Sequence, residues 1–381
     1  MKLRLLLLNI ISIVTNFYSF VVRNRKKNIL IFRCGGLGDF LLETVAIHRL
    51  RAEFPAEQYK IFYVHRKLNA ETIPQIIPVD QVIVLDEKNF FTILISAVKM
   101  WKHRYELSVN MSDPRYPLLH RILERCRAKK KVTYDYPECR FTAGEFEKFR
   151  PGYDVLVKFS WEKDHVMNMT GKLLQELTGK TFPLPSSNDY LKIHQNLPEV
   201  LLELPTRYIV FSLFGSVDNR SMPDETTISL LSLCHDRFPL CKLIIAGSPK
   251  DHMQAQKLID SLPDIAHNVI NLCGKTNYFE LYHLAKNADF MIGIDSGVTH
   301  FGAIFSPHTF VVVRKHLPEL FWPYPDDFMN KITVITDETC QCSQQCLPCL
   351  RKYSPTPCMQ YLPAEKIFNA INEVICAKSA C

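Results

Sequence analysis

The sequence predicts an α/β protein built from two Rossmann-like domains, each with a parallel sheet, and three observations support this. The chain has 381 residues, which exceeds the ~100–200 residues of a typical domain. Short apolar runs alternate with segments of helical spacing, a pattern typical of a parallel sheet covered by helices on both faces. The pattern then starts again at residue 208, after a stretch without a clear apolar period.

The first domain is predicted over residues 28–185. Its strands are expected at residues 28–32, 60–64, 81–85 and 107–110. Helices are expected at 41–54, which ends before a proline, and at the strongly apolar stretch 91–101. A glycine-rich turn joins the first strand to the first helix, which is typical of a tight strand-to-helix connection.

A linker is predicted over residues 186–205, followed by the second domain over 206–335. Its strands are expected at residues 208–213, 242–246, 269–272, 290–294 and 309–313. Its clearest helical patterns are at 226–238 and 279–286. A cysteine-rich segment with a closing helix at 364–374 makes up residues 336–381.

The composition is that of a globular protein, with 47% apolar and 22% charged residues. A net charge of +7 favours anionic partners such as nucleotide sugars and anionic lipids. Lysines and arginines do not form a long block with interleaved aromatic residues, so we predict no nucleic-acid partner. Six of the 13 cysteines are scattered singly, which is typical of reduced thiols in a cytoplasmic protein.

Residues 1–27 are predicted to form an apolar N-terminal helix in the membrane interface. The apolar stretch 5–22 is slightly shorter than the ~20 residues that span a bilayer. Four polar residues share one stripe of this helix: Asn9, Ser12, Asn16 and Ser19. A polar stripe with flanking basic residues is typical of a helix that lies on a membrane. A spanning anchor and a helix packed on the protein are the alternatives, whereas no small-residue cleavage site supports a signal peptide.

The first candidate site is the loop that contains Gly36, Gly38 and Asp39. Glycines after a strand allow close approach of a ligand, and the next helix offers free N–H groups to an anion. Leu41 stands where a dinucleotide fingerprint has its third glycine, and the second strand ends at His65 rather than at an acid. A nicotinamide site is therefore disfavoured. Asp39 either caps the helix or acts as a general base at the sheet edge.

The second candidate site runs from Asp295 to His300 and also lies between a strand and a helix. Backbone N–H groups of Ser296 and Gly297 can bind a diphosphate with support from the helix dipole, and His300 can donate to a phosphate oxygen. The alternative is a capping turn with His300 satisfied in the core.

The third candidate site is the loop from Gly215 to Arg220, where Arg220 either binds a phosphate or is solvated. All three loops follow strand ends, so each is expected at the carboxyl edge of its sheet. A cleft between the two domains is then the expected meeting place of two substrates.

These motifs, taken in order, resemble glycosyltransferase family 9, the ADP-heptose heptosyltransferases. The similarity covers roughly residues 28–376. Its most specific elements are Gly-Asp-Phe-Leu-Leu at 38–42, Leu-Cys-Gly-Lys-Thr at 272–276, Asp-Ser-Gly-Val-Thr-His at 295–300 and Cys-Met at 358–359. Arg220 stands where the family has a phosphate-binding lysine, and the sequence Arg-Lys-His at 314–316 replaces the family's Gly-Pro-Thr.

The resemblance implies a GT-B fold, with two Rossmann-like domains whose parallel sheets face a central cleft. It implies an inverting transfer from ADP-heptose without a cofactor in catalysis, with Asp39 as general base and Gly36 and Gly38 in the acceptor-side loop. The residues implied to bind the donor are Gly215, Arg220, Lys275, Thr276, Asp295, Ser296, Gly297 and His300.

The implied acceptor is a hydroxyl of the lipopolysaccharide core or a related cell-surface molecule. The implied location is cytoplasmic and peripheral on the inner membrane. One branch of the family modifies autotransporter proteins, so a protein serine is an alternative acceptor. A non-catalytic nucleotide-sugar-binding protein is the alternative of another class.

The C-terminal cysteines predict a structural iron or zinc site. Cys346 and Cys349 have the C-x-x-C spacing that lets two thiolates bind one tetrahedral ion. Cys358 and Cys376 are the further candidate ligands, with Cys342 as an alternative fourth. The competing interpretation is a set of reduced thiols, and the two metals are not separable by sequence.

Overall fold

The computed structural model describes residues 11–13, 15, 26–66, 71–86, 89–112, 117–136, 145–160, 163–195, 197, 203–215, 220–315, 321–329, 331–340 and 354–379. The chain divides into two compact units, Met1–Leu184 and Pro185–Cys381. Each unit contains one six-stranded sheet, and every strand pair in both sheets is parallel. The predicted α/β class with two parallel sheets is therefore confirmed.

The sheet of unit 1 has the strand order β3-β2-β1-β4-β5-β6. Its strands are β1 Lys27–Arg33, β2 Tyr59–His65, β3 Gln81–Val84, β4 Arg104–Asn110, β5 Arg127–Tyr134 and β6 Val155–Val157. The four predicted strands correspond to β1 to β4. The sequence of β5 begins Arg-Ala-Lys-Lys-Lys and its first five residues are half-buried or exposed, so it lacks the continuous apolar run of a central parallel strand.

The helices of unit 1 cover the faces of this sheet. They are α1 Leu37–Glu53, α2 Ile73–Ile76, α3 Phe90–Trp101, α4 Pro117–Glu124, α5 Glu145–Phe149 and α6 Val166–Thr178. Helix α1 begins four residues earlier than predicted because Gly36 is its N-cap, so the glycine-rich motif is already part of the helix start. Helix α6 ends at Gly179, whose φ of 73° lies in the left-handed region that favours glycine.

The sheet of unit 2 has the order β12-β11-β10-β7-β8-β9, which is the order of unit 1 when strands are counted from the first in each unit. Its strands are β7 Tyr208–Ser212, β8 Lys242–Ile245, β9 Val269–Asn271, β10 Phe290–Ile294, β11 Thr309–Val312 and β12 Ile332–Ile335. Its helices are α7 Ser187–His194, α8 Asp224–Arg237, α9 His252–Asp260, α10 Tyr278–Lys286, α11 Gly297–Phe305, α12 Asp326–Met329, α13 Pro357–Gln360 and α14 Ala364–Ser379.

The predicted linker contains a well-capped helix, α7. The Ser186 hydroxyl accepts from the Asp189 N–H at 3.3 Å, and the Asp189 carboxylate accepts from the Ser186 N–H at 2.9 Å. Tyr190 and His194 are buried, and His194 Nε2 lies 2.8 Å from the hydroxyl of Tyr278. The helix therefore packs on unit 2, although too few apolar residues line it to give a visible period.

The predicted N-terminal helix lies mostly outside the described residues. Ile11 packs against the apolar core of unit 1, and Ile13 is exposed. Among the residues that the structure describes, no helix is both long enough and apolar enough to cross a bilayer.

Both sheets place their candidate sites at the same topological position. The strand order reverses between β1 and β4 in unit 1, and between β7 and β10 in unit 2. Open α/β sheets bind ligands outside the carboxyl ends of the strands at this switch point. The three sequence motifs follow β1, β7 and β10, so each lies at a switch point.

Candidate active site

In unit 1 the site is built on the turn between β1 and α1. The Gly36 N–H donates to Asp39 Oδ2 at 2.6 Å, so Asp39 caps the helix from its third position. A Cβ on Gly35 would lie 2.8 Å from both Cβ and Oδ2 of Asp39, which leaves space only for glycine. Gly38 is buried in the first turn of α1. The turn therefore fixes the Asp39 carboxylate at the carboxyl end of the sheet.

Arg33, the last residue of β1, connects Asp39 to a second carboxylate. Its Nη2 lies 3.1 Å from Asp39 Oδ1 and 2.9 Å from Glu43 Oε1, and its Nη1 donates to the carbonyl oxygen of Met111. Arg33 and Glu43 are buried, whereas 25% of the Asp39 side chain is exposed. Burial alone would lower the pKa of Arg33, but Glu43 and Asp39 outweigh burial and hold it above its usual range.

Glu43 is the most deeply buried acid of this site. Burial raises the pKa of Glu43 to about 8, although the attraction of Arg33 opposes the shift. Its Oε2 has no hydrogen-bond partner among the described residues. On β2, burial lowers the pKa of His65 to about 4, and the nearby Arg33 adds to the shift. Arg33, Glu43 and His65 are therefore buried, whereas the Asp39 side chain is partly exposed.

In unit 2 the site is built around Asp295, which follows β10. Its Oδ2 lies 2.8 Å from Arg220 Nη1, and its Oδ1 accepts from the Trp322 indole N–H at 3.0 Å. Burial alone would raise the pKa of Asp295, but Arg220, His300, the indole N–H and Arg314 together hold it below the usual range. Asp295 is therefore an anchor for cations.

His300 belongs to the same cluster. Its Nδ1 lies 2.7 Å from the hydroxyl of Tyr324, and its Nε2 lies 3.9 Å from Asp295 Oδ1. Its ring stacks on Trp322 with centroids 4.9 Å apart. Because His300 is buried, this is the core position that the sequence left open. Its Nε2 nevertheless faces the carboxylate that holds Arg220.

The N-terminus of α11 lies at the switch point of the sheet of unit 2. Ser296 is the N-cap, and its hydroxyl accepts from the Thr299 N–H at 3.2 Å and contacts the Ser212 hydroxyl at 2.6 Å. Ser296 and Gly297 are half-buried, so solvent reaches the first turn. The first N–H groups of a helix have no intrahelical acceptor and favour anions.

The remaining predicted donor residues lie on neighbouring loops of unit 2. Gly274 has a φ of 74° and packs on Pro249, and Lys275 after it is exposed. Thr276 is half-buried. Arg220, Asp295 and His300 form one cluster, whereas Lys275 and Thr276 belong to the loop after β9, which is two strands away from β7.

Several site residues are ones that the sequence motifs did not single out. Lys250 Nζ contacts the carbonyl oxygen of Gly215 at 3.0 Å, which adds a cation to the loop after β7. Arg33 and Glu43 were missed in unit 1. The one signal for them in the sequence is a charged residue within or beside an apolar run. Glu43 also lies one helical turn beyond Asp39, which places the two carboxylates on the same face of the helix.

The predicted metal ligands are divided between described and undescribed parts of the chain. Cys342, Cys346 and Cys349 lie outside the described residues. Cys358 is buried with its Sγ 3.5 Å from the Thr356 hydroxyl, and Cys376 is exposed with its Sγ 3.5 Å from Arg237 Nη2. Within the described ranges, no three His, Cys, Asp or Glu side chains form a metal-binding group.

Solved structures of known proteins share this fold. An E. coli heptosyltransferase, WaaC with ADP-2-deoxy-2-fluoro heptose, matches with a TM-score of 0.63 at 17% identity over 91% of this chain and 99% of that one. The ADP-heptose lps heptosyltransferase II of E. coli matches with a TM-score of 0.60 at 15% identity over 92% and 99%. A family 9 glycosyltransferase of Veillonella parvula matches with a TM-score of 0.63 at 17% identity over 93% and 99%.

A sequence search of curated proteins finds no match. The family model for glycosyltransferase family 9 (heptosyltransferase) matches residues 142–357, which is more than half of the chain. The match includes the whole cluster around Asp295, and the structural matches extend the similarity of fold to unit 1. The predicted GT-B fold is therefore confirmed, and the chain belongs to glycosyltransferase family 9, the heptosyltransferase family, and is a glycosyltransferase.

Proposed function

We propose that the protein transfers a heptose from ADP-heptose to a hydroxyl of the lipopolysaccharide core or a related cell-surface acceptor, with inversion. The observation that carries the proposal is a division of charge between the two sheets. A partly exposed carboxylate lies at the switch point of sheet 1, and an arginine beside a helix N-terminus lies at that of sheet 2. The carboxylate can take a proton from a hydroxyl, and the arginine with the helix N-terminus can bind a diphosphate.

The donor binds the second domain, 206–335, in this proposal. Arg220 is held by Asp295, and 29% of its side chain is exposed, so it can contact a phosphate without leaving its partner. Backbone N–H groups of Ser296 and Gly297 serve the same diphosphate. The E. coli WaaC structures contain ADP or ADP-2-deoxy-2-fluoro heptose, which supports an ADP-sugar as the donor here.

The acceptor binds the first domain, 28–185, where Asp39 acts as the base. The acceptor oxygen attacks the anomeric carbon of the sugar while the bond from that carbon to the phosphate oxygen breaks and ADP leaves. Asp39 takes the proton of the hydroxyl, so charge and atoms balance without a cofactor. A single displacement inverts the anomeric centre. Gly36 and Gly38 keep the backbone close to the acceptor at this point.

The protein lies on the cytoplasmic face of the inner membrane in this proposal. Helix α3 carries Phe91 and Ile95, which are 73% and 54% exposed, and Lys99 lies one turn further along the same stripe. Val84 on the neighbouring edge strand is exposed as well, and its carbonyl oxygen accepts from Ser96 of α3. An apolar stripe that continues into a lysine is suited to bind a membrane surface that contains anionic lipid.

Basic residues gather at the end of the same helix. Burial lowers the pKa of His103 to about 4, and Lys102 and Lys60 contribute to the shift, so both lysines face this ring. Arg104 and Arg127 are register partners at the start of β4 and β5. Like charges that are placed this close favour an anionic partner over open solvent.

We further propose that iron or zinc binds Cys346, Cys349, Cys358 and Cys376, with Cys342 as the alternative fourth ligand. The buried thiol of Cys358 is compatible with this role because a metal thiolate is protected from water there. When bound, the ion supplies a structural cross-link. Elemental analysis of the purified protein tests this proposal, and a ratio far below one metal per chain would contradict it.

Calorimetric titration with ADP-heptose tests the donor assignment. The wild type is expected to bind ADP-heptose more tightly than UDP-N-acetylglucosamine. Arg220→Ala is expected to weaken this binding about 10- to 100-fold, because a hydrogen bond to a charged group contributes about 1.5–3 kcal/mol.

Arg207→Ala is the matched control for this titration. Arg207 forms a similar ion pair with Asp289 at 2.5 Å, but at the amino ends of β7 and β10 rather than at their carboxyl ends. We expect this variant to bind the donor like the wild type. Preference of the wild type for another nucleotide sugar would overturn the donor, and modification of a protein serine rather than a glycolipid would overturn the acceptor.

A further inference from the structure

The buried carboxylate of Glu43 is not used by the proposed transfer reaction, although it shares a partner with the proposed base. A single nitrogen, Arg33 Nη2, lies 3.1 Å from Asp39 Oδ1 and 2.9 Å from Glu43 Oε1. Two carboxylates thus share one cation. Because 25% of the Asp39 side chain is exposed and only 2% of Glu43, Asp39 can touch a substrate and Glu43 cannot.

The other groups around Glu43 are mostly neutral. The groups that face this cluster are Cys34 just after β1, Tyr63 and His65 on β2, Arg66 just after β2, Tyr134 at the end of β5 and Tyr136 beyond it. Burial keeps Tyr63, Tyr134 and His65 neutral, since it raises the pKa values of these two tyrosines and lowers the pKa of His65 to about 4. Glu43 Oε2 has no hydrogen-bond partner among the described residues. The charge of Glu43 is therefore felt mainly by Arg33 and Asp39.

We propose that Glu43 is a positioning residue that sets the strength of the base. Its charge decides whether the positive charge of Arg33 stabilises Asp39 alone or is shared between two carboxylates. This inference rests on the proposed role of Asp39. When Glu43 is neutral, Arg33 stabilises the Asp39 carboxylate alone and makes it a weaker base. When Glu43 is ionised, Arg33 is divided between two anions and Asp39 becomes a stronger base.

The pH dependence of the transfer reaction follows from this coupling. Because the pKa of Glu43 is raised to about 8 by burial, Glu43 is neutral at pH 7 and loses its proton to solvent above pH 8. A neighbouring arginine shifts the pKa of a carboxylate by ~1–3 units, and a second carboxylate on the same arginine opposes this shift. The wild-type kcat is therefore expected to rise roughly tenfold from a lower to a higher plateau as the pH passes about 8.

Measurement of kcat from pH 6 to pH 9.5 tests the proposal in two glutamate variants. Glu43→Gln is expected to keep one plateau, close to the lower plateau of the wild type. Glu53→Gln is the matched control, because Glu53 is also in α1 and also forms an ion pair, 2.7 Å from Lys180, but at the far end of the helix. We expect its profile to equal that of the wild type. A Glu43→Gln profile that keeps the step overturns the proposal.

A carbon-13 NMR titration of the glutamate carboxyl groups supplies a readout that needs neither substrate nor turnover. The wild type is expected to show one glutamate that titrates near pH 8, and this titration is expected to move down by about one unit or more in Asp39→Asn. Asp39→Asn removes the second anion, so all of Arg33 then stabilises the Glu43 carboxylate. An unchanged titration overturns the coupling even where Glu43→Gln does not fold.

The two proposals fail in different ways. If Asp39→Asn retains full transfer activity, Asp39 is not the base and the proposed mechanism fails, while the NMR coupling can still be observed. If Asp39→Asn is inactive but the NMR titration of Glu43 does not respond to it, the proposed base stands and the role of Glu43 is overturned.

Discussion

Gly35 is the residue whose replacement gives the most direct test of the Asp39 geometry. A Cβ at this position would lie 2.8 Å from Asp39 Cβ and Oδ2, so the carboxylate must move. A displacement of ~1 Å at a catalytic group can reduce a rate about 100-fold. Gly35→Ala is therefore expected to lower kcat by about this factor, with unchanged donor affinity in calorimetry because the donor residues belong to unit 2.

Gly171→Ala is the control for this substitution. Gly171 lies within α6, and no atom would lie within 4 Å of an added Cβ. Alanine is favoured over glycine inside a helix by roughly 0.5–1 kcal/mol, so this variant is expected to be fully active and slightly more stable. Equal activity of the two alanine variants would mean that the position of Asp39 does not limit the reaction.

At the same scale, the sequence singled out Asp39 and Asp295 because each lies where a buried strand is followed by the start of a helix. Arg33 and Glu43 could not be identified in this way, because their roles depend on distances across the β1–α1 turn. Arg220 was expected to bind phosphate, and the structure places it on Asp295 at 2.8 Å. That ion pair joins two loops 75 residues apart, and no local pattern predicts it.

Helix α3 is the element that carries the proposed contact with lipid. Phe91→Glu combined with Ile95→Glu is expected to reduce binding to vesicles of phosphatidylglycerol and phosphatidylethanolamine about tenfold or more, because two exposed apolar side chains are lost and charge is added. Co-sedimentation measures the bound fraction. Wild type is expected to bind these vesicles better than pure phosphatidylcholine, because its lysines face an anionic surface.

Leu240→Glu combined with Met253→Glu is the matched control, because these residues are 77% and 68% exposed in unit 2 and lie outside the stripe. This variant adds the same charge and is expected to bind vesicles like the wild type. Equal losses in both double variants would mean that added charge, rather than the α3 stripe, weakens binding.

At the scale of secondary-structure elements, the sequence pattern predicts most strands and misses a few. Strands β1 to β4 and β7 to β11 have the apolar runs of buried parallel strands, and all were predicted. Strands β6 and β12 were missed, although they are no shorter than the edge strands β9 and β3, which were predicted. Helix α7 was missed because Tyr190 and His194 are the only residues of this eight-residue helix that are buried.

Over the whole molecule, stability is expected to peak near pH 6.5. Burial lowers the pKa values of His65 and His103 to about 4. As the pH falls from 6.5 to 4, the unfolded chain protonates both histidines before the folded state does, so the folded state loses stability. Glu43 has the opposite sign. Its pKa is raised to about 8, so the folded state keeps a proton that the unfolded chain has lost, and stability falls as the pH rises toward 8.

Urea unfolding between pH 5 and pH 8 measures this curve, because burial lowers the pKa of Lys331 to about 8 and this reverses the slope at higher pH. The alkaline limb is expected to have a slope of at most about 1.4 kcal/mol per pH unit, the value for one proton. Glu43→Gln is expected to flatten that limb and to make the acid limb steeper, because the unfolded chain already loses the Glu43 proton from about pH 4.5 upward. A wild-type curve that rises steadily from pH 6.5 to pH 8 would contradict the burial of a protonated Glu43.

The strand order described above also bears on how the chain folds during synthesis. In unit 1, β2 pairs with β1 and β3 with β2, after which β4 joins the free side of β1 and β5 and β6 follow outward. Unit 2 repeats this sequence of additions. After the first strand, each strand that leaves the ribosome can thus pair with an edge strand of the sheet, and no strand must be inserted between two that are already paired. Each sheet can therefore grow in the order of translation, with its oldest strand at the centre.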